Sequence, residues 1–435
     1  MGSMFETLRN AFRIKDLRKK LGFTVLIMLI YRLGTAIPVP GISVEAFTDF
    51  FNRLGQYGNF MQTITGVTLT GQTVRAVPLF VLGIQPYINA SIIMQLLTFA
   101  IPSLQSMSEE GEAGQKKIQK ITRFVTIGLA LLMSVAYWYS TKSAVASILP
   151  PALNALVIIS SFTAGSTFIM WLGEQINDRG IGNGISIIIF TGIISGFPNN
   201  IVTVYYSFMK WSQKSIILAI LGVILVLLVF VAIITLVVYI QSAERRVPVQ
   251  YAKKVIGRKM YGGQSTYLPI KVNQSGVLPV IFAVSVLMMP STIVSLFGFN
   301  GKVAQFFLNF SNNPLYYIIY ALLIFAFTFF YSSISFNPEE IASRWQKDGG
   351  FIPGIRPGRS TATFIRNTSH RLLWFEAVFL IFIVLFPSLL SLITGSSQNI
   401  WLGGTSILIV VGVAMDIITQ LESQLMMRHY KGFLD

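Results

Sequence analysis

The sequence predicts an all-α polytopic membrane protein of ten transmembrane helices, and three observations carry that prediction. Residues of the AVILMFWYC class make up 53% of the 435-residue chain and charged residues only 11%, where a soluble globular chain is nearer ~25% charged. The apolar runs are continuous, as in ILAILGVILVLLVFVAIITLVVYI from Ile217 to Ile240, whereas a lipid-facing barrel would alternate over segments of about ten residues. Lysine and arginine gather in every second loop, the asymmetry expected of a chain that crosses repeatedly. A helix needs about 20 apolar residues to cross ~30 Å of hydrocarbon, so ten of them occupy roughly half the chain.

Taken in order, the stretch 1–21 is basic and amphipathic and lacks a small-residue cleavage site, so it does not read as a removed signal peptide. Spans follow at 22–42, 77–101, 122–141, 152–173, 183–197, 216–240, 274–297, 315–336, 372–394 and 403–421. Between the first two lies FMQTITGVTLTGQTVRAV, too polar to span and placed where a re-entrant half-helix would need protein or water around it rather than lipid. The basic loops are 1–20, 102–123, 174–182, 241–272, 337–371 and 421–435; the intervening loops hold only Arg53, Arg75, Lys142, Lys210, Lys214 and Lys302. Both termini are therefore expected in the cytoplasm, which requires an even number of spans.

The formal charge of +16 then falls mostly on one face, where it can meet anionic lipid headgroups, an acidic partner surface or RNA phosphates. Loops 241–272 and 337–371 are long as well as basic, and loops of that length usually carry a function. Cysteine is absent, which excludes disulfides and thiolate chemistry, and the two histidines, His370 and His429, lie in polar surroundings beside Arg371 and Arg428. No phosphate-binding loop, HExxH or GxSxG occurs, and no metal or cofactor is expected. A secondary transporter would want ionisable groups in mid-membrane, yet beyond Arg32 and Asp416 the spans read as almost charge-free. An intramembrane enzyme would need a serine, histidine or acid pair in adjacent helices, and none is placed for it.

Ten strings stand in an order that points to one family: IPVPGI from Ile37, LGIQPYINASIIMQLL from Leu82, EEGEAGQKKIQKITR from Glu109, WLGEQINDRGIGNGISIIIF from Trp171 and ERRVPVQYAKK from Glu244. YGGQSTYLPIKVNQSGVLPVIFA from Tyr261, FNPEEI from Phe336, GGFIPGIRPGRST from Gly349, GGTSILIVVGVAMD from Gly403 and RHYKGFL from Arg428 complete them. Over essentially its whole length the chain resembles the SecY family, the channel subunits of the bacterial protein translocase. The resemblance implies two pseudosymmetric halves, spans 1–5 within 22–197 and spans 6–10 within 216–421, hinged at 198–215 and followed by a tail at 422–435. A central pore would run between the halves, and a lateral gate would open between spans two and three on one side and seven and eight on the other.

Such a channel must pass an unfolded chain while holding back ions, and a ring of branched apolar side chains does both, dewetting when empty and offering a moving peptide no polar hold. The resemblance carries that ring onto Ile88, Ile92, Ile193, Val286 and Ile409. It places a plug half-helix at 61–75, with Met61, Gly66, Gly71 and Arg75, and lateral-gate polar groups at Asn89, Ser91 and Gln95. Docking of a motor or ribosome falls to Arg245, Arg246, Lys253, Lys254, Arg258 and Lys259 in one loop and to Arg356 and Arg359 in the other. Implied partners are the SecE and SecG subunits, the SecA ATPase, the ribosome, signal peptides with their unfolded preproteins, and anionic lipids, all at the bacterial inner (plasma) membrane. Glu376 departs from the family pattern, standing near the start of the ninth span where small residues are expected.

Overall fold

The computed structural model of the protein describes residues 4–42, 77–141, 150–212, 216–251, 254–256, 259–261, 265–297, 301–308, 313–394 and 404–431, with Val44, Thr48, Thr65 and Phe310. A helix lies over each predicted span, as expected of apolar runs that must satisfy their backbone internally once water is excluded. In chain order the first helices are α1 (Met4–Arg13), α2 (Lys15–Gly34), α3 (Gln85–Ala100), α4 (Pro102–Glu109), α5 (Glu112–Thr141), α6 (Pro151–Arg179), α7 (Gly184–Ser212) and α8 (Ile216–Ser242). After a β-rich region come α9 (Leu278–Phe297), α10 (Lys302–Leu308), α11 (Pro314–Ser335), α12 (Pro338–Asp348), α13 (Arg359–Thr394) and α14 (Gly404–Lys431). Among the described residues five helices are long and apolar enough to cross a membrane alone, and α3 with α4, bent by 99°, would make a sixth. Shorter apolar stretches at Gly184–Pro198, Leu227–Ser242 and Leu278–Ser291 cover three more predicted spans.

Several boundaries differ from those expected: the helix over the first span, α2, ends at Gly34 rather than at 42, and α5 starts at Glu112 rather than at 122. Residues 77–84, placed at the start of the second span, are not helical: Pro38 and Pro78 form an isolated bridge, flanked by Val39 N donating to Val77 O and Leu79 N donating to Ile37 O, both at 2.8 Å. Every residue from Val77 to Ile84 is buried or half-buried, and the carbonyl of Gly83 accepts a bond from the Ser166 hydroxyl at 3.2 Å. Irregular backbone is tolerated at such a place because protein surrounds it. The stretch 198–215, read as a hinge loop, is helical as far as Ser212, with Pro198 inside α7. The ninth span also begins early, since α13 starts at Arg359.

The chain forms two compact units, one of Met1–Lys214, Ser285–Tyr316 and Val413–Asp435 and the other of Ser215–Val284 and Tyr317–Gly412. In the first, α6 packs against α2, α5 and α7, and α3 packs against α5. Tyr31 stacks on Phe80 at 5.9 Å, and Phe80 meets Phe168 at 6.0 Å. Gly34 lies under that cluster, where a Cβ would strike the Phe80 ring. At the basic end of this unit Ala11, Leu17, Ile181 and Leu421 form a separate small core that joins α1 and α2 to α14.

In the second unit the basic stretches 241–272 and 337–371, expected as loops, contain strands and a helix. Strands β1 (Glu244–Tyr251), β2 (Lys254–Ile256), β3 (Lys259–Tyr261), β4 (Ser265–Lys271) and β5 (Gly350–Phe351) form a sheet of order β4-β1-β5 and a separate β2-β3 hairpin. Along β1, Val247 and Val249 point inward and their neighbours outward, the period of a half-buried strand. Pro248 is accommodated because β5 pairs only with Gln250 and Tyr251, leaving that side of β1 unpaired at the proline. Helix α12 shows local sequence setting both ends: Asn337 caps it by accepting from Glu339 N and Glu340 N, Pro338 opens it, and Gly349 closes it at φ 73°. Val247, Ile270, Ile352 and Ile365 then form one core under the sheet, α12 and the start of α13.

Candidate functional site

Helix α3 carries two of the predicted ring residues. It opens on Gln85-Pro86, where proline costs no hydrogen bond because the first N–H groups of a helix have no partner in it. Ile88 and Ile92, one turn apart, are each only 5% exposed. Asn89, Ser91 and Gln95 are half-buried on the same helix, and Gln95 Nε2 donates to Ser91 Oγ at 3.4 Å, a long and weak bond. On α7, Ile193 is 4% exposed while the adjacent Ile194 is 44% exposed, so the helix separates an enclosed face from an open one. Val286 on α9 is half-buried and Ile409 on α14 is 2% exposed. Ile88, Ile92, Ile193 and Val286 belong to the first compact unit and Ile409 to the second.

The predicted plug residues Met61, Gly66, Gly71 and Arg75 lie outside the described residues. Thr65, within the same stretch, is buried, and its carbonyl accepts a bond from the Tyr31 hydroxyl at 3.1 Å.

The docking residues divide between the strands of the β-rich module and the turn that leads from β5 into α13. Arg245 and Arg246 are exposed on β1; Arg246 pairs with Glu244 at 2.7 Å and lies over the Tyr267 ring at 4.9 Å. The bond to Glu244 and the nearby phenol hold the Arg246 guanidinium above its usual range. Lys254 and Lys259 sit on the β2-β3 hairpin, while Lys253 and Arg258 lie outside the described residues. Arg356 stands in the turn between β5 and α13, and Arg359 is the first residue of α13. Both are exposed, and among the described residues neither forms an ion pair. The turn is fixed from within: Gly354 and Gly358 take φ of 80° and 96°, and Thr361 Oγ1 donates to the Arg356 carbonyl at 3.0 Å. The two loops therefore present their arginines from one folded body.

Two buried carboxylates bear on the expectation of nearly charge-free spans: Glu376 lies inside the ninth predicted span, 372–394, and Glu174 one residue past the end of the fourth, 152–173. Glu174 on α6 accepts from Arg123 Nε on α5 at 2.5 Å, with the acid buried and the guanidinium about half exposed. Glu376, on α13, is fully buried. Its oxygens accept from Gln274 N and Ser275 N, both at 3.0 Å, and from the Ser275 hydroxyl. Gln274 Oε1 in turn accepts from Ser332 at 3.3 Å and Ser369 at 2.9 Å. The acid in an apolar run was visible in sequence; the donors that satisfy it, about a hundred residues away, were not.

Set against known proteins, residues 78–418 match a family model described as SecY. The protein translocase subunit SecY of Halalkalibacterium halodurans is 42% identical over 436 residues, covering 99% of this chain and all of that one. Among solved structures, one described as a protein-conducting channel superposes with a TM-score of 0.62 at 19% identity, covering 93% of this chain and 92% of that one. Sec61 from a canine ribosome-channel complex of the endoplasmic reticulum superposes with a TM-score of 0.58 at 18% identity and the same coverage.

Proposed function

The chain belongs to the SecY family, and we propose that it is the protein-conducting channel of a Sec translocase, passing unfolded secretory chains across the membrane and releasing hydrophobic segments sideways into lipid. One observation supports the mechanism most: Ile88, Ile92, Ile193 and Ile409 are each at most 5% exposed, although isoleucines of membrane helices commonly face lipid. In this reading they form, with Val286, a collar of branched side chains between the two halves. A dry collar excludes hydrated ions because no group in it replaces the lost hydration, and it lets a peptide slide because nothing in it holds a backbone amide. The stretch 61–75 acts as the plug, and Asn89, Ser91 and Gln95 line a gate whose polar contacts, worth ~0.6 to 2 kcal/mol each in a membrane, a signal sequence can displace.

The exposed arginines of the β-rich module are the docking surface for the cytoplasmic partner, the SecA motor or the ribosome. Arginine suits that task because its planar fork grips carboxylate or phosphate with two bonds. Ribosome docking is supported by the fold shared with the Sec61 of the canine ribosome-channel complex. SecE and SecG complete the translocase in this reading, and the chain sits in a bacterial inner membrane with both termini in the cytoplasm.

Replacing Ile88, Ile92, Ile193 and Ile409 together with serine tests the collar. In reconstituted vesicles the prediction is an ion leak raised at least tenfold and export of preproteins with defective signal sequences. A variant as tight and as stringent as the unaltered protein would contradict it.

A further inference from the structure

We propose that Glu376 is a positioning residue of the channel, tying the entry of α9 to α13, and that this tie sets how stringent the channel is toward the signal sequence that opens it. The inference rests on the channel reading above, in which α9 is the seventh span and one wall of the lateral gate.

The turn before α9, residues 273–277, is fastened on several sides. Glu376 of α13 accepts the two backbone N–H groups of Gln274 and Ser275 and the Ser275 hydroxyl. Gln274 Oε1 receives Ser332 of α11 and Ser369 of α13. Asn273 Oδ1 accepts from Gly276 N at 3.0 Å, with Gly276 at φ 66°. Val277 lies so close to Gly412 of α14 that a Cβ there would crowd it. Every one of these residues belongs to the compact unit Ser215–Val284 and Tyr317–Gly412, yet α9 itself passes into the other unit between Val284 and Ser285. Its first two turns are therefore held in one unit while the rest of its length belongs to the other.

A fully buried carboxylate is costly unless donors surround it, and three donors here make it a directional anchor. It also satisfies backbone N–H groups ahead of a helix start, where they would otherwise have no acceptor. Displacing α9 from α13 breaks these bonds together. Weakening the anchor lowers the cost of the displaced arrangement, so a signal sequence that contributes less binding still shifts the population toward it. Glu376→Gln keeps the volume but replaces one acceptor with a donor that opposes the amides. Ser275→Ala removes one of the three donors and nothing else.

The test uses the complete translocase in membrane vesicles and two preproteins, one with an intact signal sequence and one with a charge in its apolar core. The readout is the ratio of defective to intact substrate transported, which a fall in channel abundance alone does not move. The expected result is a ratio raised at least tenfold by Glu376→Gln and at least threefold by Ser275→Ala, with intact transport within twofold. Glu376→Asp, which keeps the carboxylate, should return the ratio to within threefold of the unaltered protein. Normal accumulation of Glu376→Gln with an unchanged ratio overturns the proposal. If that variant fails to accumulate, an unchanged ratio for Ser275→Ala overturns it equally. Failure of the unaltered protein to transport the intact preprotein would instead remove the channel reading, and this proposal with it.

Discussion

Arg356 is held outward by its neighbours rather than by a partner of its own. Gly354 and Gly358 supply left-handed turns that a side chain would strain, and Ile352 and Ile355 seat the turn on the core beneath it. A guanidinium so placed loses little freedom when a partner grips it, which is the economy of preorganisation. Arg356→Glu is therefore predicted to reduce motor-driven export at least tenfold while the protein accumulates and melts as before. Export within twofold of normal would take Arg356 out of the docking role. Much at this scale was legible: the Pro-Gly-rich string around Arg356 announced a rigid turn, and Ile88 with Ile92 announced one helix face. Glu376 was legible only as an anomaly, because its partners Gln274 and Ser275 are distant in sequence and polarity patterning carries no pairing information.

Helices are set by apolar runs, but their approach is set by glycine. At Gly184, the first residue of α7, a Cβ would overlap the Gly173 carbonyl of α6, the kind of backbone contact that small residues permit between membrane helices. Gly184→Ala is predicted to destabilise the protein by about 1–3 kcal/mol, read as a lowered melting temperature in detergent. Gly128, in α5, has nothing within 4 Å of a Cβ; Gly128→Ala should be neutral or stabilising by up to ~1 kcal/mol. Equal melting of the two variants would contradict the packing argument. Element positions were legible from hydropathy, since each run long enough to be a span is helical. Their breaks were not: residues 77–84 are as apolar as the helix they precede, and only the bridge from Pro38 to Pro78 shows why they are not part of it. The β1-β4 pairing is poorly legible because only Val247 and Val249 alternate inward in a strand otherwise dominated by charged and polar residues.

At the scale of the whole chain, the compact units are not the expected halves 22–197 and 216–421, because residues 285–316 and 413–435 group with Met1–Lys214. Helices α9, α11 and α14 each contribute to both units, a feature no local pattern discloses. In the channel reading a translocating polypeptide passes the buried isoleucines of α3. The chain contains no cysteine, so a single pair can be introduced without background: one cysteine at Ile92 and one in a secretory chain stalled in transit. A disulfide between them is expected under mild oxidation, and none when the first cysteine is moved to the exposed Ile194. Crosslinking at Ile194 without crosslinking at Ile92 would contradict it.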